Sequence, residues 1–240
     1  MFRKTIGRQL AGNNKKFNFR GHDVKRIEAF SDAVFAFAVT LLIVSLEVPK
    51  CFDELMVTMR GFFAFGVCFT LLMIIWYEQN IFFRRYGMHD IVTILLNCIL
   101  MFLVLFYVYP LKFLFTLIFS DEIYGVGHSP LIMKLEDAPR LMLIYGLGYI
   151  LIYLLFFFMY IHALRKKEEL ALTDIEVFDT RTKLYSKLLL IFIGVLAVLT
   201  SQAVPSKYSG MTGMMYMLIG PAFSVYHSYR GKKRRSLGIE

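Results

Sequence analysis

The sequence predicts an all-α integral membrane protein with six transmembrane helices per subunit. Three observations predict it. The 240 residues are 58% hydrophobic, with a mean hydropathy of +0.58, far above a soluble globular domain. The apolar residues are gathered into blocks, and a helix needs about 20 such residues to cross the hydrocarbon. The basic residues collect at the block edges, alternating from side to side, as they do in chains oriented by a membrane. The net charge of +9 is therefore read as topology. No nucleic-acid partner is expected.

Residues 1–26 form a basic tail without an apolar core, so they are not a signal peptide. The expectation is a cytoplasmic segment, flexible or lying on the surface. The first span is Ile27–Val48 and the second Leu55–Tyr77. The third, Ile91–Phe119, contains Pro110 and Lys112, which predict either a kink or an exit into a loop. The fourth is Leu141–Leu164. After it, "RKKEELALTDIEVFDTRTK" alternates charge and reads as a soluble connector, helical at its start. Leu184–Val204 and Met211–Tyr229 complete the set, making 27–229 one membrane domain. Residues 230–240 are a second basic tail.

The charges assign the sides. The N-terminal tail holds eight Lys/Arg, Arg84 and Arg85 add two, Arg165–Lys187 holds six and the C-terminal tail five, 21 of the 27 in all. The positive-inside rule puts both termini in the cytoplasm, and an even number of spans agrees. A multi-pass protein of the cell membrane in contact with lipid is expected. Glu47, Asp53, Glu54, Asp121, Glu122, Glu136 and Asp137 fall on the other side. They are either ordinary loop charge or a means of concentrating cations.

Enzyme chemistry is not indicated. There is no phosphate-cradling glycine loop, no His-x-x-x-His pair and no Gly-x-Ser-x-Gly elbow. Cys51, Cys68 and Cys98 are isolated, which suggests neither a disulfide framework nor a metal site. No metal and no cofactor is expected.

The first span is the informative one. At about 100° per residue, Phe37, Leu41 and Val44 share a narrow stripe, with Thr40 beside it and Arg26 and Phe30 continuing it. Ser31 and Asp32 point away. A carboxylate facing the centre of the lipid costs several kcal/mol, so Asp32 needs an interface, a cavity or a partner. It is either an ion or proton ligand on a pathway, or a tie to a neighbouring helix, where Trp76 and Asn97 lie at comparable depth. Thr40 either bonds back to its own helix or serves a pathway. The Phe37 stripe faces lipid, core or pore.

The string Arg26-x-x-x-Phe30-Ser31-Asp32, followed by Thr40-Leu41-Leu42, resembles the signature of the potassium channel family named for transmembrane protein 175. The likeness extends to Trp76, Asn97 and Pro110 on spans two and three. It implies six helices per repeat, and for a single-repeat chain such as this one a homotetramer, with the first helices around a central pore. It also implies that Phe37, Leu41 and Val44 form the constriction or gate and that Thr40 contributes selectivity. Arg26, Phe30, Ser31, Asp32, Trp76 and Asn97 would lock the first helix in place, and K+ would be the permeant ion. Two positions depart from the family pattern. Phe37 stands where isoleucine is typical, and Gln79 where histidine is common. Two rival classes are a proton-coupled transporter using Asp32 and Glu28, and a non-conducting scaffold whose basic tails bind anionic lipid.

Overall fold

The computed structural model describes residues 17–44, 50–119, 123 and 134–236. Among them are six helices of at least 18 residues and no strand. They are α1 (Arg26–Val44), α2 (Phe52–Tyr86), α3 (Ile91–Ile118), α4 (Ala138–Arg165), α5 (Asp174–Ala203) and α6 (Ile219–Ser236). Four of them, α2 to α5, are long and apolar enough to cross a membrane. α1 is described over 19 residues and carries Glu28 and Asp32. α6 turns strongly basic towards its end.

Local chemistry sets the boundaries. α2 runs nine residues past the predicted end of its span and stops at Gly87, in the left-handed conformation at φ 58°, whose N–H bonds the Phe83 carbonyl at 2.8 Å. Glycine is required there, because a Cβ would meet the Arg20 carbonyl oxygen at 2.9 Å. α5 starts at a capping box. Thr173 accepts from the Glu176 N–H, and the Glu176 carboxylate accepts from the Thr173 N–H at 2.9 Å. Such reciprocal bonds satisfy two of the orphan donors of a helix start. The predicted soluble connector is therefore corrected: its second half is the first turns of α5.

Of the two alternatives at Pro110, the exit into a loop does not hold: α3 covers the predicted third span and continues to Ile118. Proline removes one backbone donor and crowds the carbonyl a turn earlier. Here the Tyr145 hydroxyl on α4 donates to the Pro110 carbonyl, and the Tyr107 hydroxyl donates to the Tyr145 carbonyl at 3.0 Å. The sixth span is not one α-helix, since Gly210–Leu218 is a 3-10 helix and α6 begins only at Ile219.

α4 and α5 pack against each other over their length, approaching so closely that a Cβ on Gly194 would lie 2.9 Å from both Tyr149 and Ile150. Small residues at such seams let apolar helices meet where no hydrophobic effect drives them together. α3 bridges this pair to α1 and α2. The core runs through Phe35, Leu42, Phe82, Leu100, Val104, Phe156 and Tyr160, all nearly inaccessible. The outside is apolar as well. Phe63, Phe102, Phe106, Phe192 and Val225 are exposed, a surface suited to lipid or to neighbouring subunits.

The end of the N-terminal tail is not loose. Phe17 is buried edge-on against Tyr86 with ring centroids 5.9 Å apart. Arg20 donates to both Glu176 carboxylate oxygens, at 2.9 and 2.8 Å, and to the Leu170 carbonyl at 2.7 Å. The Arg20 and Gly21 N–H groups donate to the Arg85 and Arg84 carbonyls at the end of α2. These residues fasten α2 to the start of α5. Residues 1–16 lie outside the described residues.

Candidate functional site: the two faces of the first helix

α1 has one face inside the subunit and one outside. Ser31, Phe35, Ala38 and Leu42 follow helical spacing and are at most 2% exposed. On the opposite side Phe30 and Phe37 are each 57% exposed. Thr40 is exposed beside them and Leu41 is half-buried. Val44 ends the described part of α1, and its side chain lies outside the described residues. The division follows from the sequence: aligned small and apolar groups allow close packing on one side, while phenyl rings fill the other.

A chain of polar groups joins the inner face to its neighbours. The Gln79 side-chain amide on α2 donates to Asn97 Oδ1 on α3 at 2.8 Å. Asn97 Nδ2 donates to Ser31 Oγ at 2.8 Å, and Ser31 Oγ donates to the Ile27 carbonyl of its own helix at 2.8 Å. Gln79, Asn97 and Ser31 are all buried, so each bond replaces a bond to water that folding removes. A turn away, Trp76 Nε1 donates to Asp32 Oδ1 at 2.8 Å. Towards the other end, Lys112 Nζ on α3 donates to the Leu42 carbonyl at 2.8 Å. Two helices, α2 and α3, thus hold α1 at two heights.

The outer face is different. Thr40 Oγ1 donates back to the Phe37 carbonyl at 2.7 Å. Its hydrogen is thereby committed to the helix, and its lone pairs remain for a ligand that accepts no proton. Arg26 is exposed and pairs with no carboxylate among the described residues. Glu28 is half-buried, within 3.4 Å of the Lys25 N–H. Ser31, Asp32, Trp76 and Asn97 are brought together, whereas Pro110 is spent on the contact with α4.

Ion pairs cluster at the basic end of the bundle. Glu78 on α2 lies 2.7 Å from Lys187 and 3.7 Å from Lys183, both on α5. Asp90, between α2 and α3, lies 2.6 Å from His162 Nε2 and accepts from Thr93 at 2.8 Å. Burial pushes the Asp90 carboxyl up. The bonds from Thr93 and His162, with the nearby charges of His162 and Lys166, outweigh it and hold the group below the usual carboxylate range.

The family model "Endosomal/lysosomal potassium channel TMEM175" matches residues 26–107, which carry α1, α2 and most of α3. A curated relative named "Potassium channel", from Marivirga tractuosa, is 39% identical over 98% of this chain and 98% of its own length. The chain belongs to the TMEM175 family. Among solved TMEM175 structures, that of the potassium channel MtTMEM175 T38A variant, in complex with a nanobody–MBP fusion, superposes with a TM-score of 0.79. It is 38% identical, over 90% of this chain and 97% of that one. A potassium channel of Chamaesiphon minutus is 31% identical over 93 residues, 35% of this chain and 46% of that relative.

The TMEM175 model match starts at Arg26, so it leaves out Arg20 and every residue of α5. Sequence reasoning missed the Arg20–Glu176 pair, whose partners stand 156 residues apart. Gln79 was legible as a departure from the TMEM175 pattern, and its place at the head of the Asn97–Ser31 chain was not. Thr173 and Glu176 did carry a readable signal, the Thr-x-x-Glu spacing of a capping box.

Proposed function

We propose that this chain forms a homotetrameric, potassium-preferring leak channel of the cell membrane, with both termini cytoplasmic and α1 of each subunit lining the pore. The observation that carries the reading is the division of α1. Its inner face is held by Ser31, Asn97 and Gln79, while Phe37, 57% exposed, faces outward with Thr40 beside it. Fourfold assembly around this outward face would turn it into a pore wall.

Phe37, Leu41 and Val44 span about 10 Å of helix rise. A constriction of that length lined by phenyl and aliphatic groups expels water and stops ions without a plug. Opening separates the α1 helices while the Ser31 and Asp32 contacts keep each one seated in its subunit. The Thr40 oxygens, with their hydrogens donated inward, offer acceptors to a partly dehydrated K+. Asp32 acts as a tie. Its bond from Trp76 lies away from the Phe37 side, which speaks against a coupling carboxylate on the pathway.

Purified protein in planar bilayers tests this. Resolved single-channel steps with a potassium-biased reversal potential are expected. Slow, saturable, proton-coupled uptake without steps would show a transporter using Asp32 and Glu28 instead.

A further inference from the structure

We infer that the cavity between α5 and α6 at the basic end of the bundle is a binding site for a phosphate group. The cavity has a volume of about 250 Å³ and is lined by Arg85, Lys183, Arg230 and Arg234, with Asp179 as its one carboxylate. At roughly 30 Å³ per water, it has room for a phosphate head and part of its hydration.

The four cations outnumber the carboxylates that reach them among the described residues. Arg234 takes Asp179, at 3.3 Å. Lys183 shares the Glu78 carboxylate with Lys187, which holds it more closely. Arg230 is fixed by neutral groups only. Its guanidinium donates to Thr182 Oγ1 at 2.9 and 2.6 Å and to the Phe178 carbonyl at 3.2 Å, and it stacks over the Phe178 ring at 4.0 Å. Arg85 packs over Phe17 at 4.8 Å, and its buried Nε and Nη1 have no hydrogen-bond partner among the described residues. Buried guanidinium N–H groups left unbonded are costly. An oxyanion supplies both a charge opposite Arg230, which has only neutral partners among the described residues, and acceptor oxygens for the unbonded Arg85 N–H groups.

The approach has the same sign. A second cavity of about 650 Å³ shares Phe178 and Arg230 as a wall and adds Lys167, Arg181 and Lys233 against Glu168 and Asp174, which leaves a cationic excess. The field of such a funnel concentrates anions. The phosphate has two possible sources, a lipid headgroup at the membrane surface or a free phosphate compound. Both present the same chemistry.

Gly231 allows the site to be filled without dismantling it. It lines the cavity, and a Cβ there meets nothing within 4 Å. In G231E a carboxylate is placed among the cations, while G231A adds only a methyl. The experiment uses the purified full-length protein in neutral detergent. Thermal unfolding is followed during titration with inorganic phosphate and, separately, with short-chain phosphatidylglycerol. Chloride at equal ionic strength and short-chain phosphatidylcholine are the references. Phosphate, phosphatidylglycerol or both are expected to raise the unfolding midpoint of the wild type and of G231A. G231E should bind roughly ten- to hundredfold more weakly, the worth of one to two charge-assisted bonds, and R85Q should be weakened too. A response to phosphatidylglycerol alone assigns the site to lipid, and a response to phosphate alone to a soluble compound. No response to either, or a response that survives intact in G231E, overturns the inference. G231E removes no native contact, so the test stands even if R85Q does not fold.

Discussion

The bonds that seat α1 can be measured as a coupling energy between Ser31 and Asn97. Asn97→Ala removes a fully buried amide that donates to Ser31 and accepts from Gln79. It leaves the Gln79 N–H buried without its acceptor, which costs about 1–3 kcal/mol, and it opens a small cavity. Ser31→Ala leaves the Asn97 N–H without an acceptor, at a similar cost. Each single variant destroys the bond they share, so the double variant should lose less than the sum. In lipid-embedded proteins such couplings average about 0.6 kcal/mol and reach about 1.7, because helices apart in the membrane also find partners. Ser31 and Asn97 are both inaccessible, so a coupling of about 1–1.5 kcal/mol is expected, in the upper part of that range. The assay is reversible denaturant unfolding of the purified protein for wild type, both single variants and the double. Additivity within about 0.3–0.5 kcal/mol, the scatter of independent sites, would refute the claim that this chain of bonds holds α1.

Three further outcomes are expected. Asp32→Asn keeps the acceptor for Trp76 but removes the charge, so it should weaken assembly, read by size-exclusion chromatography, while oligomers that do form still conduct. Loss of conduction in an intact oligomer would make Asp32 part of the pathway. Glu176→Gln keeps the Thr173 cap but weakens the two-pronged pair with Arg20, and should lower stability by about 1–3 kcal/mol in the same unfolding assay. Asp90 sets a pH dependence: its folded-state carboxyl titrates below its unfolded value, so its contribution is present above the ordinary carboxylate range and is lost as pH falls through the folded value. Asp90→Asn should flatten that part of the stability–pH curve, and an unchanged slope would contradict the pairing with Thr93 and His162.

Much of the fold was legible because lipid leaves the backbone few options. Runs of apolar residues long enough to cross a bilayer must become helices, and α2 to α5 all coincide with such runs. Boundaries were less legible where polar residues continue a helix beyond the membrane. α2 extends through Arg84 and Arg85, and α5 begins among alternating charges, where packing against Arg20 and the Thr173 cap outweighs the polarity that suggested a connector. The Gly210–Leu218 stretch reads as apolar, yet Gly210 and Gly213 accompany a 3-10 helix that periodicity does not distinguish. At the site, the two faces of α1 were readable from helical spacing. The partners were readable in part. Trp76 and Asn97 stood at the right depth for Ser31 and Asp32, but nothing local announced that Gln79 would reach Asn97, or that Lys112 would bond the Leu42 carbonyl. Those contacts depend on how α2 and α3 turn towards α1, which is set by the whole bundle.

The claim that α1 lines the pore is tested most directly by asking whether ions in the conduction path touch Phe37. The described cysteines are Cys51, Cys68 and Cys98. With these replaced by serine, Phe37→Cys places one thiol per subunit on the outward face of α1. Thiolates bind soft divalent metals tightly. If that face surrounds the pore, cadmium should block single-channel current in Phe37→Cys, a chelator should restore it, and the cysteine-free parent should be insensitive. Current in Phe37→Cys that cadmium leaves unchanged, while chemical labelling shows the thiol to be reactive, would put the phenyl stripe against lipid and remove α1 from the pore.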